Sequence, residues 1–363
     1  MSEQTETLAY QRTNVYEAAD EALKREIFSF AEGYKTFLDL AKTEREACAE
    51  VIKEAEAQGY VPFTFGKKLR SGDKVYYNNR GKNLYLIRVG TENLAENGVR
   101  IVASHIDSPR IDLKQLPLYE KEGIAFGKTH YYGGLRKYQW AAMPLALHGV
   151  VARKDGSVVN VCVGEQTGDP VFYISDLLPH LAAKQNQKPL GQAIEGEDLN
   201  IWFGNIPFTA ASEEDKRTVK EQLLRILSDT YGITEADFMS AELSLVPAFK
   251  ACDVGFDRAL VGSYGQDDRV CSYAAVRALF EESSDVHTTM VILADKEEIG
   301  SEGTTGMQSI LFLDLMEALS DSFGVPSSVV RAHSKCISAD VTAAYDPNYP
   351  DVCEKTNAVY LSC

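Results

Sequence analysis

The sequence predicts an α/β fold built on a mixed sheet and interrupted by a β-rich insertion. Three observations carry that expectation. Apolar, β-branched runs at 99–104 and 288–294 read as buried strands, and each runs directly into a carboxylate-bearing loop. A helical pattern at 270–282 follows a glycine-punctuated loop. Between about 113 and 245 the character changes to glycines, aromatics and short apolar or alternating runs.

Taken in order, the first 60 residues read as helical, and Thr43-Glu44-Arg45-Glu46 forms a capping box that opens a helix ending near Gly59. Residues 75–89 alternate like a hairpin, with Asn78-Asn79-Arg80-Gly81 at the turn. The strand leading to His105 follows. Inside the insertion, 150–152, 158–163 and 171–174 read as short strands, and 212–231 as a helix closed by Gly232. The α/β pattern then resumes: a loop carrying Asp267, a helix, a strand ending at Glu297 and Glu298, a helix, and a strand at 335–339 leading to Asp340. This divides the chain into one domain from 1–112 plus 246–363 and an inserted domain at 113–245.

The 363 residues suffice for two such domains. The formal charge of −16 argues against nucleic acid or an anionic membrane as a partner. The polar, acidic start, Met1-Ser2-Glu3-Gln4-Thr5-Glu6, is not a secretory signal, and no apolar run is long enough to span a bilayer. Seven cysteines, an odd count without paired metal spacing, fit reduced thiols in a cytoplasmic protein.

The chemistry gathers in four loops. They are His105-Ile106-Asp107-Ser108-Pro109-Arg110, Gly265-Gln266-Asp267-Asp268-Arg269, Asp295-Lys296-Glu297-Glu298-Ile299-Gly300-Ser301, and Asp340-Val341-Thr342. Open α/β sheets place their sites at the carboxyl ends of strands. One histidine and several carboxylates arriving from separate elements suit zinc, cobalt or manganese. A carboxylate bridging two such ions suits a co-catalytic hydrolase.

Those loops, with Ile337-Ser338-Ala339 before Asp340 and Asp346-Pro347-Asn348-Tyr349-Pro350 after it, resemble the aspartyl-aminopeptidase-like metallo-aminopeptidases of the two-metal exopeptidase superfamily. The stretch from His130 through Gly133-Gly134 to Trp140 resembles a bacterial branch of that family. The resemblance implies a two-metal exopeptidase catalytic domain with an inserted dimerisation domain, and assembly through dimers to a dodecamer. It implies release of N-terminal residues from peptides, with Asp and Glu as candidate preferences. It also implies two zinc ions, with cobalt or manganese as alternatives.

Position by position, the resemblance makes His105 and Asp340 ligands of one ion, Asp267 the bridge in preference to Asp268, and Glu298 a ligand of the second ion. Glu297 becomes the general base, and Asp107 fixes the ring of His105. Pro179-His180-Leu181-Ala182 resembles a segment whose histidine reaches a neighbouring active site, which assigns His180 to substrate contact. Arg110, Arg136 and Lys137 are the candidate cations for an acidic substrate side chain. His130, His148, His287 and His333 read as structural or surface residues, and Tyr131-Tyr132-Gly133-Gly134 as loop packing.

Members of that family run on beyond the position of Cys363 and carry a last metal-binding histidine. The expectation is that this chain lacks the C-terminal part and stops inside a strand at Val359-Tyr360-Leu361-Ser362-Cys363. Two rival readings follow: a catalytically inactive, truncated subunit or fragment, and a related two-metal deacylase.

Overall fold

The computed structural model describes residues 9–207 and 218–363. The acidic start and residues 212–217 of the expected insertion helix lie outside the described residues. The strands, in chain order, are β1 (Val61–Pro62), β2 (Lys74–Asn79), β3 (Asn83–Arg88), β4 (Arg100–His105), β5 (Arg110–Lys121), β6 (Ile124–Tyr132), β7 (Leu145–Ala152) and β8 (Val158–Val163). They continue with β9 (Tyr173–Ile174), β10 (Ile201–Gly204), β11 (Ala241–Pro247), β12 (Cys252–Val254), β13 (Leu260–Gly262), β14 (Thr289–Ala294) and β15 (Lys335–Ser338). The helices are α1 (Val15–Ala18), α2 (Glu21–Leu40), α3 (Glu44–Ala57), α4 (Leu94–Asn97), α5 (Val219–Tyr231), α6 (Gln266–Glu281), α7 (Leu311–Ser322) and α8 (Ser327–His333).

The first sheet has the order β1-β2-β3-β14-β4-β15. It is mixed, because β14 runs antiparallel to β3 but parallel to β4, and β15 is parallel to β4. Its central strands are buried on both faces, which is why their sequences show apolar runs rather than alternation. In β14, Val291 and Leu293 pack with Leu38, Val51 and Val276 from α2, α3 and α6. Met290 and Ile292 point the other way, to Leu315, Leu319 and Val330 from α7 and α8. The two-residue side-chain period of a strand thus serves two cores.

The expected capping box is present: Thr43 accepts from the Glu46 amide, and Glu46 accepts from the Thr43 amide. The hairpin turns at Arg80 and Gly81, whose φ angles are both positive. The strand leading to Asp340 differs from the other two. β15 is an edge strand with all four residues exposed, since only β4 flanks it.

The second sheet, β8-β7-β11-β5-β6-β10-β9, is antiparallel throughout. Its strands lie between Arg110 and Pro247, so the chain passes from the His105 loop directly into it. Ile111, Leu145, Leu243 and Leu245 form its core, with Leu223, Leu224 and Leu227 of α5 laid over them. The expected terminal strand is absent: Val359 makes a single parallel bridge to Ala344 and no ladder continues from it. Among the described residues no helix is long and apolar enough to cross a membrane.

Candidate active site and metal centre

Three strands decide the site. Because β14, β4 and β15 are mutually parallel neighbours, their carboxyl ends open at one edge of the first sheet. That edge receives His105 from β4, Glu297 and Glu298 from the loop after β14, and Asp340 from the loop after β15. The turn into α6 adds Asp267 and Asp268, which are joined by a cis peptide bond.

His105 is the centre. Its Nε2 lies 3.1 Å from Asp267 Oδ1, 3.7 Å from Asp340 Oδ1 and 3.8 Å from Glu297 Oε2. Its Nδ1 lies 3.0 Å from the carbonyl oxygen of Asp107 and 3.4 Å from the Asp107 carboxylate. A carbonyl can only accept, so Nδ1 donates there, and Nε2 faces the carboxylates. Ligand atoms of His105, Glu297 and Glu298 lie within 4.8 Å of one another, and so do those of His105, Asp268 and Asp340.

The loops are held from behind. Ser108 Oγ donates to the Asp267 carbonyl at 2.7 Å and accepts from the buried Arg269 at 2.8 Å. Ser272 Oγ donates to the His105 carbonyl at 2.8 Å. The fully buried Asp107 carboxylate accepts from the amides of Glu297 (3.1 Å) and Glu298 (3.2 Å) and from the Tyr132 hydroxyl (2.7 Å). Lys296 and Gly300 bracket the short turn at Glu297–Ile299 with φ of 69° and 97°.

The electrostatics are unbalanced. Burial first, then the charges of Asp267, Asp107 and Glu297, raise the Glu298 carboxyl to about 7. Burial and the Asp340 charge push Asp268 upward. Neither oxygen of Asp268 has a conventional hydrogen-bond partner; the Cys271 thiol, a weak donor, lies beside it. Burial alone would lower His105, but its hydrogen bond to Asp107 and the surrounding carboxylates raise it to about 9. Crowded carboxylates around one imidazole, with an unpartnered buried acid among them, are the donor set and charge deficit that a divalent cation satisfies. The residues present therefore fit zinc.

The remaining candidates separate. His180 is exposed and belongs to neither cluster around His105. Arg110 is not free to meet a substrate: it is buried, paired with Glu44 (3.2 Å) and Asp112 (2.8 Å), and its guanidinium lies 3.9 Å over the Tyr132 ring. Arg136 lies over Tyr138 and Lys137 over Tyr131, at the surface of the adjoining loop. His148 is buried between Glu46 and Glu165, whereas His287 and His333 are exposed.

Two residues escaped the sequence reading. Tyr132 is more than loop packing, since its hydroxyl reaches Asp107. Gly133 has φ 73°, and a Cβ there would meet Glu298 Cβ at 3.3 Å, so the second sheet's loop lies against the site. A tyrosine ending a strand just before paired glycines was the available signal.

Comparison with known proteins agrees with this geometry. A model of the family described as aminopeptidase I zinc metalloprotease (M18) matches residues 37–363. "Probable M18 family aminopeptidase 1" of Clostridium acetobutylicum is 48% identical over 356 residues, covering 96% of this chain and 76% of that protein. The crystal structure of an M18 aminopeptidase from Thermotoga maritima superposes with a TM-score of 0.90 at 40% identity, covering 98% of this chain and 77% of that one. A dodecameric mApe1 from Saccharomyces cerevisiae shares the fold, with a TM-score of 0.73 at 24% identity over 91% of this chain and 75% of that one.

Proposed function

The chain belongs to the M18 family of aminopeptidase I zinc metalloproteases, and on that premise we propose how its residues divide the work. It is a zinc aminopeptidase that releases amino acids from the N-termini of peptides. One observation supports the division of labour: His105, Asp267, Glu297, Glu298 and Asp340 converge where negative charge exceeds its partners.

His105 and Asp340 would hold one ion, Glu298 a second, and Asp267 would be shared between them. When bound, zinc supplies Lewis acidity to the scissile carbonyl and to the attacking water. Glu297 takes a proton from that water as its oxygen adds to the carbonyl carbon. Glu297 then delivers the proton to the amide nitrogen as the C–N bond breaks, releasing a free amino acid and a shortened peptide. Asp107 holds His105 with Nε2 turned toward the ion and keeps the glutamate turn in place. The unpartnered oxygens of Asp268 would add negative potential to the site.

Preference for acidic N-terminal residues falls to Arg136 and Lys137, because Arg110 is already neutralised by Glu44 and Asp112. Residues 113–245 form the dimerisation domain of a homo-oligomer. The dodecamer of the yeast neighbour supports that assembly. His180, exposed, contacts substrate bound to a neighbouring subunit. A cytoplasmic location fits seven unpaired cysteines.

The test is hydrolysis of Asp, Glu and Leu chromogenic amides with zinc, cobalt or manganese added, beside a chelated control and N-acylated versions of each substrate. The expected result is metal-dependent release from free-amine substrates only. Chelator-insensitive release, or equal hydrolysis of the N-acylated series, overturns the reading.

A further inference from the structure

The Asp107 carboxylate is a junction. It accepts two backbone amides from the glutamate turn and lies 3.4 Å from His105 Nδ1, which donates to the backbone carbonyl of the same residue. All of those donors belong to the first sheet and its loops. Its remaining donor, the Tyr132 hydroxyl, comes from β6 in the second sheet. Among the described residues no other hydrogen bond reaches Asp107 from that sheet.

Tyr132 is itself held. In the β5–β6 ladder it stands directly opposite Arg110, so the two side chains share a face. The guanidinium covers the Tyr132 ring at 3.9 Å. Arg110 is in turn clamped by Glu44 at the start of α3 and by Asp112, which also accepts from Ser244 Oγ at 2.6 Å. Burial, then the Asp107 charge, keeps the phenol protonated and donating. The residue after it, Gly133, turns the chain against Glu298.

We propose that Tyr132 is a positioning residue for the metal centre: its hydroxyl sets the Asp107 carboxylate, and through it the His105 ring and the Glu297–Glu298 turn. Zinc affinity and turnover then depend on a side chain that the second sheet delivers. This inference rests on the reading that His105 and Glu298 are zinc ligands. The physical basis is that an outer hydrogen bond to a ligand's orienting partner restricts where the ligand points. Losing such a partner costs roughly 10–100-fold in metal affinity.

The experiment compares the full chain with Tyr132→Phe, which keeps the ring under Arg110 and removes only the hydroxyl. Zinc dissociation constants are measured by competition with a chromophoric chelator, beside kcat, KM and thermal unfolding of the metal-free protein. The expected result is zinc affinity weakened about 10-fold or more, kcat lowered, and KM unchanged within about twofold, because the hydroxyl orients the reacting groups without binding substrate. Tyr131→Phe, its exposed neighbour, leaves zinc affinity unchanged. In an Asp107→Ala background the penalty of Tyr132→Phe disappears, because its target is gone. A lowered unfolding temperature with unchanged zinc affinity and kcat overturns the proposal in favour of a purely structural tyrosine. So does a penalty that persists without Asp107. If the unsubstituted chain binds no zinc, the ligand reading itself fails and this proposal with it; if it binds zinc and Tyr132→Phe binds equally well, only this proposal fails.

Discussion

Two histidines in this protein are surrounded by glutamate and aspartate, and the two surroundings behave in opposite ways. His105 faces Asp267, Glu297 and Asp340, with Glu298 and Asp268 close by. No lysine or arginine forms an ion pair with any of those five carboxylates among the described residues. His148, on β7 of the second sheet, lies 2.7 Å from Glu46 and 3.1 Å from Glu165. There Lys42 (3.2 Å) and Lys250 (2.8 Å) also pair with Glu165. The consequences show in the acids. Hydrogen bonds from His148 and Lys250, with the Lys42 charge, outweigh burial and hold Glu165 at about 2. Glu298, without such partners, rises to about 7.

Proximity alone does not distinguish the two regions. Ligand atoms of Glu46, His148 and Cys162 also lie within 4.8 Å of one another. Both ring nitrogens of His148, however, are engaged by carboxylates, so both donate and the ring is an imidazolium without a lone pair for a metal. Its neighbours supply their own counter-charge. The comparison teaches that a cluster keeps the charge deficit a cation can satisfy when its carboxylates are left uncompensated, and becomes an ionic clasp when lysines complete it.

The largest expected effect separates the regions by metal content. Asp267→Asn lowers zinc content and reduces peptide hydrolysis to background, whereas His148→Gln keeps its zinc; elemental analysis of both purified variants checks this. Next, Glu297→Gln keeps zinc while kcat falls by about 10²–10⁴-fold, the range of a lost general base. Unchanged hydrolysis would remove Glu297 from the mechanism.

In the clasp the effect falls on stability instead. His148→Gln removes the cation between Glu46 and Glu165, while Glu165 keeps Lys42 and Lys250; it costs about 1–3 kcal/mol, read as a lower urea midpoint with metal-binding stoichiometry intact. The pH dependence of the clasp has a defined sign. Burial would lower His148, but its hydrogen bonds with Cys162, Glu165 and Glu46 raise it to about 11. A raised folded value means the stabilisation is fully present below the unfolded value of roughly 6.5 and is lost as pH rises toward the folded one. Urea unfolding between neutral and alkaline pH therefore shows stability falling more steeply with pH in the unsubstituted chain than in His148→Gln.

The smallest effect is calorimetric. On the proposed ligand set, zinc binding should release the His105 proton below about 9 and the Glu298 proton below about 7. Titration in buffers of different ionisation enthalpy should show more protons released per zinc at acid than at mildly alkaline pH. Equal release at both would place Glu298 outside the ligand set.

Much of the first region was legible because its chemistry sits in short, local patterns. An apolar run ending in a carboxylate-bearing loop announces a strand end with polar groups at its tip, and His105, Glu297 and Glu298 all follow such runs. The capping box at Thr43 and the hairpin at Arg80 are local as well. The clasp was illegible: Lys42, Glu46, His148, Glu165 and Lys250 come from widely separated segments, and no spacing links them. Arg110 looked like a free cation beside the site. Glu44, far away in the chain, neutralises it. Tyr132 looked like packing because its partner lies 25 residues back, across a change of sheet.

By itself the amino-acid order determined most of the elements, though not the expected strand at 359–363, and which polar groups stand at their ends. It also set the two-sided burial of the central strands, since these depend on neighbours within a turn or a strand length. Only the tertiary structure decided which carboxylates acquire cationic partners and which are left facing one imidazole. The parallel pairing of β4 with β14 and β15 brings residues 105, 297 and 340 to one edge. The seating of the second sheet against α3 draws Glu44 to Arg110 and Glu46 to His148. Charge compensation is a property of distances across the fold: a carboxylate's state depends on what lies within a few ångströms in space, whatever its distance along the chain.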